Sequence, residues 1–303
     1  GKNIRYYATN GCGTTYSNVV VLTVRTLPTV SITGNNSPIC SGGNAVFDLS
    51  GTSDATVTYN INGGNNQTVT LMGGTAQVTL SGATANQTLN LVSVADTYCS
   101  QNLSGSSTVI VNALPACSIT GLDGPVCPSS SNNYTAPVGM TTYLWSISDN
   151  GSIPGATNQQ NVSVTAGSNC NQSFTLTLVI TDGNGCSSSC QKIVSVTDNT
   201  APTLTGTAYA GTTGTNACMA DAATAAPFSA ADAIQGYTDN CGGAVTAELT
   251  DTQVTGTDCA WTVEYTFKVV DGCGNELTGQ TYSNTGGDKT APTLASGMSW
   301  PAD

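Results

Sequence analysis

The sequence predicts an all-β protein, a tandem array of β-sandwich modules, on three observations. Cysteines recur at one fixed interval, apolar residues alternate with period two, and Gly, Asn and Asp cluster between the alternating runs. Cys12, Cys99, Cys186 and Cys273 are each 87 residues apart. The same shift carries Ser31-Ile32-Thr33-Gly34 onto Ser118-Ile119-Thr120-Gly121, and Pro38-Ile39-Cys40 onto Pro125-Val126-Cys127. A second echo, at 90 residues, takes Thr200-Ala201-Pro202-Thr203-Leu204 onto Thr290-Ala291-Pro292-Thr293-Leu294.

These echoes divide the 303 residues into a partial module at 1–27, full modules at 28–114, 115–198 and 199–289, and a stub at 290–303. Residues 1–27 hold two closing strands, Ile4–Ala8 and Asn18–Val24, and no sheet to pack them against, which predicts a longer native polypeptide. The joints at Leu27-Pro28, Leu114-Pro115 and Ala201-Pro202 are short and stiffened by proline, favouring a rod over loosely strung domains. In the third module Phe174, Leu176, Leu178 and Ile180 alternate with Thr175, Thr177 and Val179. Val263, Tyr265, Phe267 and Val269 repeat the pattern in the fourth. Turns are expected at Asn62-Gly63-Gly64-Asn65, Asp149-Asn150-Gly151 and Asp182-Gly183-Asn184-Gly185, where these residues accept positive φ cheaply. Ala220–Ala233 is alanine-rich but broken by Pro227, so at most a short helical turn is expected there.

Composition excludes whole classes of function. With no histidine, a Ser-His-Asp or Cys-His nucleophile, a His-ligated zinc and an imidazole base are all unavailable. Paired carboxylates could still serve a glycosidase, but small repeated modules offer no deep cleft, and the chain is read as a non-enzyme. A net charge of −12 is the wrong sign for nucleic acid or for an anionic membrane surface. No apolar run is long enough to span a bilayer. The N-terminus lacks the layout of a signal peptide, so either a signal was removed or the chain is a window of a longer one.

Twelve cysteines with no CxxC pair point to disulfides and an oxidising, extracellular location. Modules of under 100 residues with few aromatics need such staples. If module 28–114 is self-contained, its Cys40 and Cys99 pair, and register then pairs Cys127 with Cys186. Tyr59 and Trp145 fall between those cysteines, the Cys–aromatic–Cys order of an immunoglobulin-type sandwich. The fold class is therefore a tandem array of immunoglobulin-like β-sandwich modules forming a rod. Cys117 pairs with Cys190 across the first and last strands, and Cys241–Cys273 and Cys218–Cys259 are expected in the fourth module. Cys170 is left over, either free or in place of Cys117 as the partner of Cys190.

Cys117-Ser118-Ile119-Thr120-Gly121, Tyr143-Leu144-Trp145-Ser146 and the run Thr177–Cys186 resemble the PKD-like and immunoglobulin-like repeats of giant surface adhesins of Bacteroidetes. Asp198-Asn199-Thr200-Ala201-Pro202, Asp239-Asn240-Cys241-Gly242 and Asp271-Gly272-Cys273-Gly274-Asn275 resemble HYR-like repeats. The resemblance implies export to the cell surface, typically by type IX secretion, and roles in attachment, gliding motility or extracellular filaments. A structural stalk segment is the expected function; a glycan- or cell-binding module array and a pilin-like subunit polymerising by strand exchange are the alternatives. Expected partners are neighbouring modules of a longer chain, with surface glycans or other cells under the binding alternative.

Acidic residues concentrate in 191–303, which holds twelve of the eighteen for a local net charge of −9. Asp239 and Asp271 each stand two residues before a cysteine, and Asp198 and Asp288 lie at module junctions. Together the four make a candidate calcium site clamping a linker, because Ca²⁺ takes several carboxylate and carbonyl oxygens. Against it, Asp-Asn and Asp-Gly are common turn formers and no dense Asp-x-Asp-x-Asp loop is present. Asn-x-Ser/Thr sequons at Asn35, Asn66, Asn86, Asn102, Asn133, Asn161 and Asn171 follow from a composition rich in all three residues. Trp145 and Trp261 read as core and Trp300 falls in the stub, so no aromatic platform for sugar stacking is identifiable.

Overall fold

Alternation places one side of each strand against a core and the other in water, and the structure, a computed structural model describing residues 1–298, is built of such strands. Trp300 and the rest of 299–303 lie outside the described residues. The chain divides into two compact units: Gly1–Ala116 with Thr181–Ser188, and Cys117–Ile180 with the residues from Ser189 onward.

In the first unit two sheets face each other across one core. One sheet orders Thr75–Ala83, Gly43–Gly51 and Val30–Asn35; the other carries Ser100–Asn102, Gln87–Ala95, Thr56–Ile61 and Gln67–Thr70, with Ser106–Val109 also on Gln87–Ala95. Phe47 and Leu49 from the first sheet meet Val57, Tyr59, Leu89, Leu91 and Val94 from the second. The segment before Pro28 forms two small ribbons, Lys2–Ile4 with Val20–Leu22 and Tyr7–Asn10 with Gly13–Tyr16. Ile4, Tyr7, Tyr16 and Val19–Leu22 are all exposed.

In the second unit, Ser131–Thr135, Asn161–Ala166 and Gly151–Ser152 form one sheet, and Thr142–Asp149, Gln172–Thr181 and Ser187–Val196 another. Phe174, Leu176, Leu178 and Ile180 are buried between them with Tyr134, Trp145 and Val164. The 199–289 segment is a meander of three long strands, Thr246–Thr257, Ala260–Val270 and Glu276–Gly286. One face carries Trp261, Val263, Tyr265, Phe267 and Tyr282. Short helices Ala222–Ala225 and Ala230–Ala233, separated around Pro227, supply Ala222 and Ala233 to the same core, with Ala226 just past the first helix, in place of a second large sheet. Trp145 and Trp261 are both 2% exposed, and each indole N–H donates to a backbone carbonyl, of Gln159 and Ala217 respectively, at 2.8 Å.

The disulfides depart from the sequence expectation. Cys40 bonds to Cys186 rather than to Cys99, Cys127 to Cys241 rather than to Cys186, and Cys170 to Cys273, which leaves Cys241 and Cys273 unpaired with each other. Cys117 bonds to Cys190. Among the described residues Cys12, Cys99, Cys218 and Cys259 are free, so the expected Cys218–Cys259 bond is absent. The reason is position. An immunoglobulin-type staple needs two cysteines facing each other mid-sandwich. Here Cys99, Cys186 and Cys273 sit at or beside hairpin tips, where an aspartate turn carries them past the ends of the strands.

Candidate functional site

Five short segments of the second unit converge on a cavity of about 350 Å³ lined by Ser130, Cys170, Asp198, Asp239, Cys241 and Asp271, among others, and three of them carry an aspartate. Each aspartate is set by its own local turn. Asp198 ends the strand region before the 199–289 segment, and its Oδ1 accepts the Thr200 N–H at 3.0 Å. Asp239 follows the strand Tyr237–Thr238, and its Oδ2 accepts the Cys241 N–H at 2.8 Å. Asp271 closes the Ala260–Val270 strand; its Oδ1 accepts N–H groups of Cys273 (2.8 Å) and Asn275 (2.9 Å), and its Oδ2 the Asn275 side-chain amide (2.8 Å). That amide also donates to the Asp198 carbonyl at 3.0 Å, joining two of the three turns. The bonds Cys127–Cys241 and Cys170–Cys273 flank the cavity.

Asp198 is only 6% and Asp271 only 8% exposed. One carboxylate oxygen of Asp198, one of Asp239 and the Cys241 sulfur lie within 4.8 Å of one another. The sulfur is committed to a disulfide and is no thiolate, so the available ligands are oxygens. Asp239 Oδ1 is buried and accepts no hydrogen bond. Among the described residues no Lys or Arg forms an ion pair with the three carboxylates.

Electrostatics separates the members. Burial pushes the Asp239 carboxyl above the usual carboxylate range; the Cys241 N–H opposes this, and the charges of Asp198 and Asp271 add to it, as does the hydrogen bond that a protonated Asp239 makes to the Asp198 carboxylate. Burial acts on Asp271 in the same sense but is outweighed by donors from Asn275, Cys273 and Gly274, so its carboxyl is held below the usual range. An ionised Asp271 next to a carboxylate with a bare, buried oxygen suits a small hard cation, which supplies the charge and the coordination that Asp239 lacks.

Of the four aspartates singled out from sequence, Asp198, Asp239 and Asp271 come together and Asp288 does not. Asp288 sits beside Asp258 and Cys218, its N–H on the Asp258 carbonyl and its charge the main cause of a raised Cys218 thiol pKa. Sequence reasoning missed Asn275, which ties Asp271 to Asp198; its signal is the spacing of four after Asp271 in Asp-Gly-Cys-Gly-Asn. Asp182, in the expected turn Asp182-Gly183-Asn184-Gly185, spends its Oδ1 on the N–H groups of Asn184 and Cys186, a turn role.

No protein-family model matches the sequence, and no curated protein matches it either. Among solved structures, the chain aligns with a 1.5-MDa bacterial ice-binding adhesin at 16% identity over 88% of this chain and 98% of that one, TM-score 0.32. It aligns with a Bacteroides ovatus mixed-linkage glucan protein, SGBP-B, at 13% identity over 88% and 72%, TM-score 0.23. Fibronectin(III)-like modules of Clostridium thermocellum CbhA align at 13% identity over 56% and 94%, TM-score 0.25. Superpositions at these scores fall short of a shared overall arrangement, and function is read from this chain's own residues.

Proposed function

We propose that this chain is a structural segment of a large extracellular repeat adhesin, with module divisions at 27/28, 114/115, 198/199 and 289/290. One observation carries the reading: three of the four disulfides join cysteines 103, 114 and 146 residues apart, further than the 87-residue period. Bonds longer than the repeat link one repeat to another, which suits a covalently reinforced array in an oxidising setting outside the cell. Cell-surface attachment is its role, with type IX secretion and gliding motility as the setting that the repeat resemblance implies, and with no catalysis assigned. Reducing, denaturing electrophoresis with peptide mapping of the native material tests this. A covalent chain far longer than 303 residues is expected. A discrete species no longer than this sequence would refute it and favour a strand-exchanging subunit, for which the exposed strands before Leu27 are suited.

The Asp198–Asp239–Asp271 cavity is the calcium site of this reading. The buried, partnerless Oδ1 of Asp239 supports it. Adding millimolar Ca²⁺ to EDTA-treated protein is expected to raise the melting temperature of the second unit, and an unchanged melting temperature would refute it.

A further inference from the structure

The cysteines of the 87-residue register occupy one structural position. At the second tip Asp96 Oδ1 accepts the Tyr98 and Cys99 N–H groups at 2.8 and 2.6 Å. At the third, Asp182 Oδ1 accepts from Asn184 and Cys186, and at the fourth Asp271 Oδ1 accepts from Cys273 and Asn275. At the first, Asn10 Oδ1 accepts from Cys12.

A second repeated contact lies two residues past each of the last three cysteines. Gln101 donates its side-chain amide to the Pro28 carbonyl at 2.5 Å, Ser188 its hydroxyl to the Pro115 carbonyl at 2.6 Å, and Asn275 its amide to the Asp198 carbonyl at 3.0 Å. Pro28 and Pro115 open the repeat of their donor, and Asp198 ends the repeat before that of Asn275, so each acceptor lies at a junction between repeats. The hairpin tip therefore grips the same junction three times.

At two of these junctions the tip cysteine is also bonded to a cysteine of the preceding repeat, Cys186 to Cys40 and Cys273 to Cys170. At the remaining one, Cys99 is free and half-buried, although its tip already touches the preceding repeat: the Arg25 guanidinium lies 3.5 Å from the centre of the Tyr98 ring. We propose that Cys99 is the open half of a third junction disulfide, whose other half is a cysteine of the repeat preceding its own. The two bonded register equivalents identify the ligand as a thiol. Closure joins the Cys99 sulfur to the partner sulfur, with loss of two protons and two electrons. The disulfide of a thiol–disulfide oxidoreductase accepts both and departs as a dithiol.

The proposal shares an oxidising setting with the function proposed above and is independent of calcium. The test is peptide mapping of the full natural chain, its thiols blocked with iodoacetamide before peptic digestion in acid without reductant. The expected result is an unblocked Cys99 peptide joined to a cysteine N-terminal to it, alongside the Cys40–Cys186 pair. A blocked Cys99 beside an intact Cys40–Cys186 pair overturns this proposal alone. Cys99 and Cys186 both blocked overturns it together with the oxidising setting. Cys99 joined to Cys40, to any cysteine C-terminal to it or to a second copy of the chain also overturns it.

Discussion

Replacing Cys170 and Cys273 together by alanine removes one of the two bonds flanking the acidic cavity while leaving Cys127–Cys241 in place. The direct loop between them is 103 residues. With Cys127–Cys241 intact a shorter covalent path exists, from Cys170 back to Cys127, across that bond, and on from Cys241 to Cys273. Loop-closure entropy for that path is about 4.5 kcal/mol at 25 °C, against about 4.7 kcal/mol for the direct loop, so the second bond is almost as valuable with the first present. Trp145 and Trp261, both buried in the second unit, make guanidinium denaturation followed by tryptophan fluorescence a local readout. In EDTA, the double variant is expected to lose about 4 kcal/mol at an unchanged denaturant slope. A loss below about 1 kcal/mol would refute the reasoning, showing that the bond does not constrain the unfolded chain.

Calcium affinity is expected to depend on pH through Asp239. Its folded pKa is raised, so in the calcium-free protein its protonation contributes stability that is present below the ordinary carboxylate pKa and lost as pH rises through the raised one. Calcium must displace that proton, so titration calorimetry should show proton release and an affinity falling by up to about tenfold per pH unit below the raised pKa. Asp239→Asn should abolish the calcium-induced melting shift and, above that pKa, stabilise the calcium-free protein; a calcium shift that survives the substitution refutes the site. Leu178→Ala, at a fully buried position between two sheets, should cost about 3–5 kcal/mol by the same fluorescence assay. Tyr282→Phe removes the hydroxyl that accepts the Ser229 N–H at 2.8 Å and should cost about 1 kcal/mol without altering calcium affinity.

Strand structure was legible because period two is a local signal. The alternation at Phe174–Ile180 and Val263–Val269 appears in the structure as buried side chains. Pro227 interrupts the alanine run as a proline must, and a short helix lies on each side of it. The helical cover over the Ala260–Val270 strand was not legible, since small alanines there give no strong periodic signal. Cysteine pairing failed for a different reason. Assigning Cys40 to Cys99 assumed that each repeat closes on itself, whereas the 87-residue register marks equivalent positions and carries no information about which equivalents touch. All three site aspartates were among the four singled out, because Asp-x-Cys places two of them at turns and the module junction marks the third. Asp288, chosen for its place at a junction, makes the same local turn as Asp198, its Oδ1 accepting the Thr290 N–H at 2.8 Å, but its Oδ2 faces Cys218 and not the other aspartates. The bare oxygen of Asp239 depends on packing from three separate segments and has no sequence signature.

The overlap of two disulfides sets where tension travels. Along the backbone, Cys40 and Cys273 are separated by a contour of roughly 800 Å when extended. Through the bonds Cys40–Cys186 and Cys170–Cys273 the same two points are joined by only the stretch from Cys170 to Cys186, about 55 Å of extended chain. Most of that short link is the strand Gln172–Thr181, already extended and hydrogen-bonded within its sheet. A pull between those cysteines therefore bypasses nearly all the intervening hydrogen bonds and stretches a link with almost no slack. Reduction would free most of the longer contour as hidden length.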